Sequence, residues 1–359
     1  MDVAELATKL VSIPSHDDET AAGDFIQAWL SDHTDAAVER DAAGNVIARR
    51  STDADGSLAL IGHHDVVPPD SGQMTDGDEY VVTERDGRLY GRGTADMKGS
   101  LAAAMVAFAD ADAAHELVFA SFVGEEAGGV GCRAAIDDGF APDFAVVGEG
   151  STGYSATGVT DVAIAHRGRR GSTVTARGVA AHASNPEAGA NAIYRATDAV
   201  DLVRAVDTPE TTVLGRTVEG SVVVTEIDGG HAWNVVPETC SFTIDERTVP
   251  GERAELGRVE AVDGVMWSVD QDLPPMACDN PNFADAVLSA AAAAQDGTPD
   301  RVVKPHATDA GWLAAAGTTC VVCGAAEPGE AHTADESVSA AVVERCVDIY
   351  RRVAETRLV

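Results

Sequence analysis

Apolar and polar positions follow two different periods along this chain. Residues 2–12 and 17–32 place apolar side chains at helical spacing, with Ile13-Pro14-Ser15 between them, and read as amphipathic helices. Shorter, largely apolar runs follow at Leu58-Ala-Leu-Ile-Gly62, Glu116-Leu-Val-Phe-Ala-Ser-Phe-Val123 and Phe144-Ala-Val-Val147. Runs of this length without alternation predict strands buried on both faces. Another strand is predicted at 45–49, and helices from Ser100 and over 131–138. From Gly168 the texture changes. Ser172-Thr-Val-Thr-Ala-Arg177 alternates as a half-exposed antiparallel strand would. Strands at 221–227, 239–247 and 265–269, with helices near Asn191 and over 251–260, complete that block. Pro274-Pro275 marks the return to α/β texture: helix 282–295, a helix after Asp309, a buried strand at 318–323 and a closing helix at 338–355. The chain therefore divides into residues 1–167 with 275–359, and an insert of α+β texture at 168–274. No internal repeat or low-complexity segment is visible.

The apolar strands end in groups that bear chemistry. Leu58–Gly62 runs into His63-His64-Asp65. On an extended chain His63 and Asp65 point the same way and His64 the other. A metal-bound imidazole needs a carboxylate to orient it, and His-x-Asp supplies one. The strand at 116–123 ends in Gly124-Glu125-Glu126, and the strand at 144–147 in Gly148-Glu149. One of two adjacent carboxylates can bind a metal while the other handles protons; a solvated acidic turn is the alternative. Asp96 lies among Gly91, Gly93, Ala95 and Gly99 just before a helix. Such glycines allow close backbone approach, although an Asp N-cap with glycine turns fits the same residues. The recurrence of acid or His at successive strand ends points to a crevice site of an α/β sheet.

Charge narrows the partners. The 359 residues include 59 acidic and 25 basic ones, a formal net charge of −34, and only Lys9, Lys98 and Lys304 are lysines. Such a surface repels nucleic acid. Excess acid, scarce lysine and abundant Ala, Gly and Val suit a protein adapted to high salt, where the Debye length is about 3 Å. The 45% apolar residues argue against disorder. The N-terminal stretch has neither the basic region nor the apolar run of a secretory signal, no stretch is long enough to span a membrane, and the expected compartment is the cytoplasm. Six cysteines are scattered. Cys320 and Cys323 lie three apart on a strand and face opposite sides, so a structural role is expected.

The motifs together resemble the M20 family of metallopeptidases and amidohydrolases. They are Gly62-His-His-Asp-Val-Val-Pro68, Tyr90-Gly-Arg-Gly-Thr-Ala-Asp-Met-Lys-Gly99, Gly124-Glu-Glu126, Gly148-Glu149, Gly178-x-x-x-His182, Asn234-Val-Val-Pro237, Asp245-x-Arg247 and Ala331-His332. The resemblance implies an α/β, mixed-sheet zinc-hydrolase catalytic domain flanked by helices, with 168–274 as an inserted dimerisation or lid domain. It implies two zinc ions, with cobalt as a substitute, bridged by Asp96. His63 and Glu149 would complete one ligand set, Glu126 and His332 the other. Asp65 would orient His63, and Glu125 would be general acid/base for the bridging water. The Asp96–Met97 peptide would be cis. His182 is the expected donor to the oxyanion, by family analogy from the neighbouring subunit of a homodimer, although Ser184 and Asn185 beside it also suit a turn. Asn234 and Arg247 can bind a substrate α-carboxylate; an ion pair of Arg247 with Asp245 or Glu246 is the alternative.

The family includes acetylornithine deacetylase and succinyl-diaminopimelate desuccinylase, and hydrolysis of an N-acyl amino acid is the expected activity. A dipeptidase or carboxypeptidase is the alternative, and a catalytically inactive metal-binding relative is a further one. Three positions depart from the family pattern: Gly150 after Glu149 where Pro is common, Glu327 before Pro328-Gly329, and Ala307-Thr308-Asp309 beside His306. They leave the expected ligands intact and bear on the substrate. The charge itself makes a prediction. With −34 formal charges, the melting temperature should rise steeply from low salt to molar KCl as self-repulsion is screened. A melting temperature that ignores salt would remove the high-salt reading.

Overall fold

The computed structural model describes residues 2–76 and 79–358. It falls into two compact units. The first holds Met1–Ala165, Met276–Lys304 and Thr308–Val359, and the second holds His166–Pro275 with Pro305–Ala307.

In chain order the first unit opens with α1 (Val3–Val11) and α2 (Thr20–His33). The strands β1 (Ala37–Arg40), β2 (Val46–Arg50) and β3 (Ser57–His63) follow, then a hairpin of β4 (Thr83–Arg85) and β5 (Arg88–Tyr90). Next are α3 (Gly99–Asp110), β6 (Glu116–Phe122), α4 (Val130–Asp137), β7 (Phe144–Val147) and β8 (Val162–His166). The second unit contributes β9 (Gly168–Arg177), β10 (Ala181–His182), α5 (Ala192–Arg204), β11 (Glu210–Val213), β12 (Arg216–Glu219), β13 (Ser221–Gly229), β14 (Val235–Val236), β15 (Thr239–Thr248) and β16 (Val265–Leu273). The chain returns with β17 (Met276–Ala277), α6 (Pro281–Ala293), β18 (Arg301–Lys304), α7 (Asp309–Ala315), β19 (Thr319–Val322), β20 (Ser337–Ser339) and α8 (Ala340–Ala354).

The main sheet runs β1-β2-β6-β3-β7-β19-β8-β17, with β18 beside β8. Its centre is parallel: β3 pairs with both β6 and β7, and β7 with β19, in parallel register. Antiparallel β2 and β8 flank that centre, so the sheet is mixed. Alternate residues explain the two layers of helices. Ala59, Ile61, Val118, Ala120, Ala145 and Val147 share one core cluster with residues of α4 and α7. Gly62 lies on the other face, against Met97 and Leu101 of the α3 side. Parallel pairing has one consequence for function: the carboxyl ends of β3, β6, β7 and β19 emerge at the same edge. The second unit is an antiparallel sheet β13-β15-β9-β16. Its buried residues alternate, and Val174, Ala176, Phe242 and Ile244 pack against Ala192, Ala196 and Ala199 of α5.

Several expectations are corrected. The helix expected over 251–260 is a 3-10 turn at Leu256–Ala261. Gly251 takes a φ of 101°, and the backbone at Ala254 bonds instead to Glu246 and Arg170. The closing helix starts at Ala340, because Ser337–Ser339 pairs with β5. The helix expected from 17 starts at Thr20. The sequence reading passed over β1, β8 and the hairpins β4–β5 and β11–β12. Asp86-Gly87, both at positive φ, is nevertheless the ordinary signal for a two-residue hairpin turn. Asp96 does not end a strand of the main sheet; it sits in the turn Thr94–Lys98 that follows the small hairpin.

His64 faces away from His63 and hydrogen-bonds the Ser121 hydroxyl at 2.7 Å. Burial, helped by the charges of Lys98, His63 and Arg40 and opposed by Asp65, pulls its pKa down to about 3. Below its ordinary pKa of about 6.5 the unfolded chain therefore binds a proton that the folded chain refuses. Stability is lost as pH falls through that window, by up to about 1.4 kcal/mol per pH unit. In urea unfolding of metal-free protein between pH 6 and 4, roughly the middle of that window, His64→Asn should lose less stability than the unsubstituted chain. Parallel pH profiles would contradict this.

Candidate metal centre

Two groups of ligand-type atoms gather in the first unit. One is His63, Asp96 and Glu149; the other is Asp96, Glu126 and His332; within each the atoms lie within 4.8 Å of one another. Asp96 belongs to both through different oxygens. Its Oδ1 lies 3.0 Å from His63 Nε2, and its Oδ2 lies 3.1 Å from His332 Nε2. Glu149 Oε1 is 3.2 Å from His63 Nε2, and Glu126 Oε1 is 2.9 Å from His332 Nε2. Three parallel strands supply His63, Glu126 and Glu149, directly or from the loop just beyond. The loop after β19 supplies His332, which takes a left-handed φ of 60°.

The turn that carries Asp96 is shaped by its small residues. Gly93 enters it at φ 83°, and a Cβ on Gly99 would stand 2.6 Å from the Thr94 carbonyl oxygen. The Asp96–Met97 peptide is cis. Buried Glu336 holds the turn from the side. Its Oε1 accepts the N–H groups of Ala95 at 3.0 Å and Asp96 at 3.2 Å, and its Oε2 takes Arg92 Nη1 at 2.5 Å.

Asp65 holds the other half. Its Oδ1 is 3.3 Å from His63 Nδ1, whose ring nitrogen is also 3.0 Å from the Asp65 carbonyl oxygen. Its two carboxylate oxygens also accept the N–H groups of Glu125 at 3.1 Å and Glu126 at 3.0 Å. One carboxylate thus orients the imidazole and fixes the acidic turn. Two acceptors at Nδ1 require a proton there, so Nε2 of the neutral ring is a lone-pair donor facing two carboxylates. Lone pairs converging in this way suit a cation, and the oxygen and imidazole set suits a divalent transition metal.

The titration shifts have the same origin. Burial pulls His63 down, but hydrogen bonds to Asp65, Asp96 and Glu149 outweigh it and hold the ring well above its usual pKa. Hydrogen bonds to Asp96 and Glu126 raise His332 to about 10. Glu125 is half-buried, and its carboxylate has no hydrogen bond among the described residues. Burial pushes it well above the carboxylate range, with Glu149, Asp309 and Asp96 adding to the push and His63 opposing it.

His182, Asn234 and Arg247 belong to the second unit. His182 pairs with Val235 in the β10–β14 ladder, and the Ala183 N–H donates to the Asn234 carbonyl at 2.9 Å, so the fold brings His182 and Asn234 together. The His182 ring is exposed and meets the Ser184 hydroxyl at 2.7 Å. Arg247 Nε donates to Asp245 at 2.8 Å, which is the ion-pair alternative realised, while Glu246 turns to the opposite face and holds Arg170. Sequence reasoning missed Glu336, Arg92 and Lys304 around the first-unit cluster. Lysine scarcity was the available signal for Lys304, and the position of Glu336 four residues after His332 was the signal for it. All six cysteines are free and buried. Among the described residues no helix is long and apolar enough to cross a membrane.

Known proteins with this sequence pattern and fold are numerous. The sequence profile described as "Peptidase family M20/M25/M40" matches residues 59–356. A succinyl-diaminopimelate desuccinylase of Acidiphilium cryptum is 31% identical over 87% of this chain and 85% of its own. An acetylornithine deacetylase of Myxococcus xanthus is 30% identical over 89% and 84%. Among solved structures, aminopeptidase PepT of Bacillus cereus superposes with a TM-score of 0.81 at 18% identity, covering 99% of this chain and 97% of its own. A Bacillus subtilis protein described as a dinuclear metal-binding peptidase superposes with a TM-score of 0.71 at 14% identity, covering 98% and 96%.

The Glu336 clamp can be tested without any ligand. Glu336→Ala would leave Arg92, 2% exposed, with only the more distant Asp70 at 3.7 Å as an acidic partner among the described residues. Breaking such a buried pair should cost about 3 kcal/mol in equilibrium unfolding. A loss below about 1 kcal/mol would show that the pair does not hold the turn.

Proposed function

The chain belongs to peptidase family M20/M25/M40, and from that premise we propose that it is a dinuclear metal-dependent amidohydrolase that removes the acyl group from an N-acylated amino acid. One observation carries the metal part: the two oxygens of Asp96 are divided between two His-carboxylate groups. The names of the relatives at 30 and 31% identity, a deacetylase and a desuccinylase, support the deacylase part. The fold is shared with peptidases, so dipeptides belong in the assay beside N-acetyl and N-succinyl amino acids.

In this reading His63, Asp96 and Glu149 hold one divalent ion, and Asp96, Glu126 and His332 the other, with zinc or cobalt as the expected metal. When bound, such ions supply Lewis-acid charge, lowering the pKa of water towards about 7 and polarising a carbonyl. The chain's own residues do the rest. Asp65 keeps the His63 ring turned so that Nε2 faces the centre. Glu125, next to the ligand Glu126 and with a carboxylate that has no hydrogen bond among the described residues, takes a proton from the attacking water and returns it to the leaving amine. Its raised pKa suits a group that must hold that proton between the two steps.

His182 donates to the developing oxyanion, and Asn234 and Arg247 bind the substrate's α-carboxylate. For Arg247 the substrate must compete with Asp245 for the fork. The motif resemblance favours a homodimer in which His182 serves the neighbouring subunit's centre. Its exposed imidazole is compatible with that role.

One experiment tests Glu125 and His182 together. Glu125→Gln should keep its metal content and lose about 10²–10⁴-fold in kcat. His182→Ala should also be weak. Mixed under conditions that exchange subunits, the two variants should regain activity, because one site of each mixed dimer has both residues intact. Near-normal turnover of Glu125→Gln would remove it from the mechanism. A mixture that stays inactive after verified exchange would overturn donation in trans.

A further inference from the structure

Lys304 belongs to none of the motifs above, and it is one of only three lysines in 359 residues. It closes β18, and its side chain is buried, with the residue 7% exposed. Its Nζ donates to the Gly150 carbonyl at 2.9 Å and lies 3.4 Å from Glu149 Oε2. The other oxygen of that carboxylate, Oε1, faces His63 Nε2 at 3.2 Å. Glu149 is therefore divided: one oxygen turns to the His63 pocket, the other to a buried ammonium.

The His332 pocket has no counterpart. Among the described residues, Asp96 and Glu126 make ion pairs with histidines and with no lysine or arginine. Each pocket has one carboxylate of its own and a share of Asp96. Among the described residues only the His63 pocket has a lysine or arginine against a candidate ligand carboxylate; Asp65, 3.3 Å from His63 Nδ1, stands behind the ring, whereas Lys304 acts on a Glu149 oxygen itself. A positive charge buried a few ångströms from a divalent ion acts in low dielectric and is poorly screened.

We propose that Lys304 is a positioning residue for this centre: it holds the outer oxygen of Glu149, leaves a single Glu149 oxygen for a divalent ion, and makes the His63 pocket the weaker of the two sites. The proposal rests on the metal-centre reading above. A purely structural lysine would stabilise the fold without ranking the pockets. The ranking is therefore what the test must read.

The measurement is titration of the metal-free, full-length protein with Co²⁺ against a competing chelator, followed by the visible spectrum. The unsubstituted chain should take up two ions in two resolved steps. Lys304→Met should tighten the weaker step by about tenfold or more, because charge is removed and the second Glu149 oxygen is released. Lys304→Arg, which keeps the charge, should leave both steps in place. A Lys304→Met variant that melts normally with the weaker step unchanged or weakened overturns the proposal. If Lys304→Met does not fold, single-ligand variants decide. His63→Ala must abolish the weaker step and His332→Ala the tighter one, and the reverse order overturns the ranking. Absence of any cobalt uptake by the unsubstituted chain would instead overturn the metal reading itself, so the two failures are distinguishable.

Discussion

The shared carboxylate of Asp96 constrains everything built around it. Its two oxygens face two imidazoles that lie 269 residues apart in sequence, at positions 63 and 332. Neither oxygen can move without disturbing one of the pockets. The turn that carries it is closed by the Lys98 N–H to the Gly93 carbonyl at 2.8 Å and the Gly99 N–H to the Thr94 carbonyl, but Asp96 and Met97 between them leave helical geometry. That stretch is also held from outside. Glu336 accepts two of its N–H groups and is balanced by Arg92, and the Glu336 carbonyl takes the Gly91 N–H at 3.0 Å. The loop after β19 thus supplies both a candidate ligand, His332, and the brace for the carboxylate that His332 shares.

A second constraint is the cost of gathering acid. Asp65, Asp96, Glu125, Glu126 and Glu149 sit in a partly buried region, where uncompensated charge is expensive. The structure answers each one differently. Asp65 is satisfied by two backbone N–H groups and a ring nitrogen, Glu149 by Lys304, and Asp96 and Glu126 by imidazoles. Glu125 has none of these partners among the described residues, and burial pushes its carboxyl well above the usual range; burial raises Glu126 too, against the pull of the His332 hydrogen bond.

How much of this could be read from sequence depended on distance along the chain. Largely apolar runs announced β3, β6 and β7, and the acids or histidines at their ends followed from position alone. Parallel pairing, which brings those ends to one edge, was not visible in any single strand. Lysine scarcity could single out Lys304 and spacing Glu336, but neither could name its partners, which lie 155 and about 240 positions away. The expected helix over 251–260 failed for a different reason. Its residues have helical propensity, but Glu246 and Arg170 from neighbouring strands claim the Ala254 backbone. Tertiary hydrogen bonds there outweigh local preference, as they do in β20, where pairing with β5 shortens the last helix.

The role proposed for Arg247 must start from a side chain that is already engaged. Strand alternation puts Asp245 and Arg247 on one face and Glu246 on the other, so the two acids cannot exchange roles. Asp245 pairs with both Arg247 and Arg169, each at 2.8 Å, and these bonds hold its carboxyl below the usual range although burial pushes it up. A substrate carboxylate arriving at Arg247 would replace one carboxylate by another. Asp245 would keep Arg169, so no charge would be stranded. The exchange would be nearly neutral in Coulomb energy, and the fork would select for planar geometry more than for charge. On the proposed role, affinity would then have to come from the rest of the substrate rather than from its carboxylate.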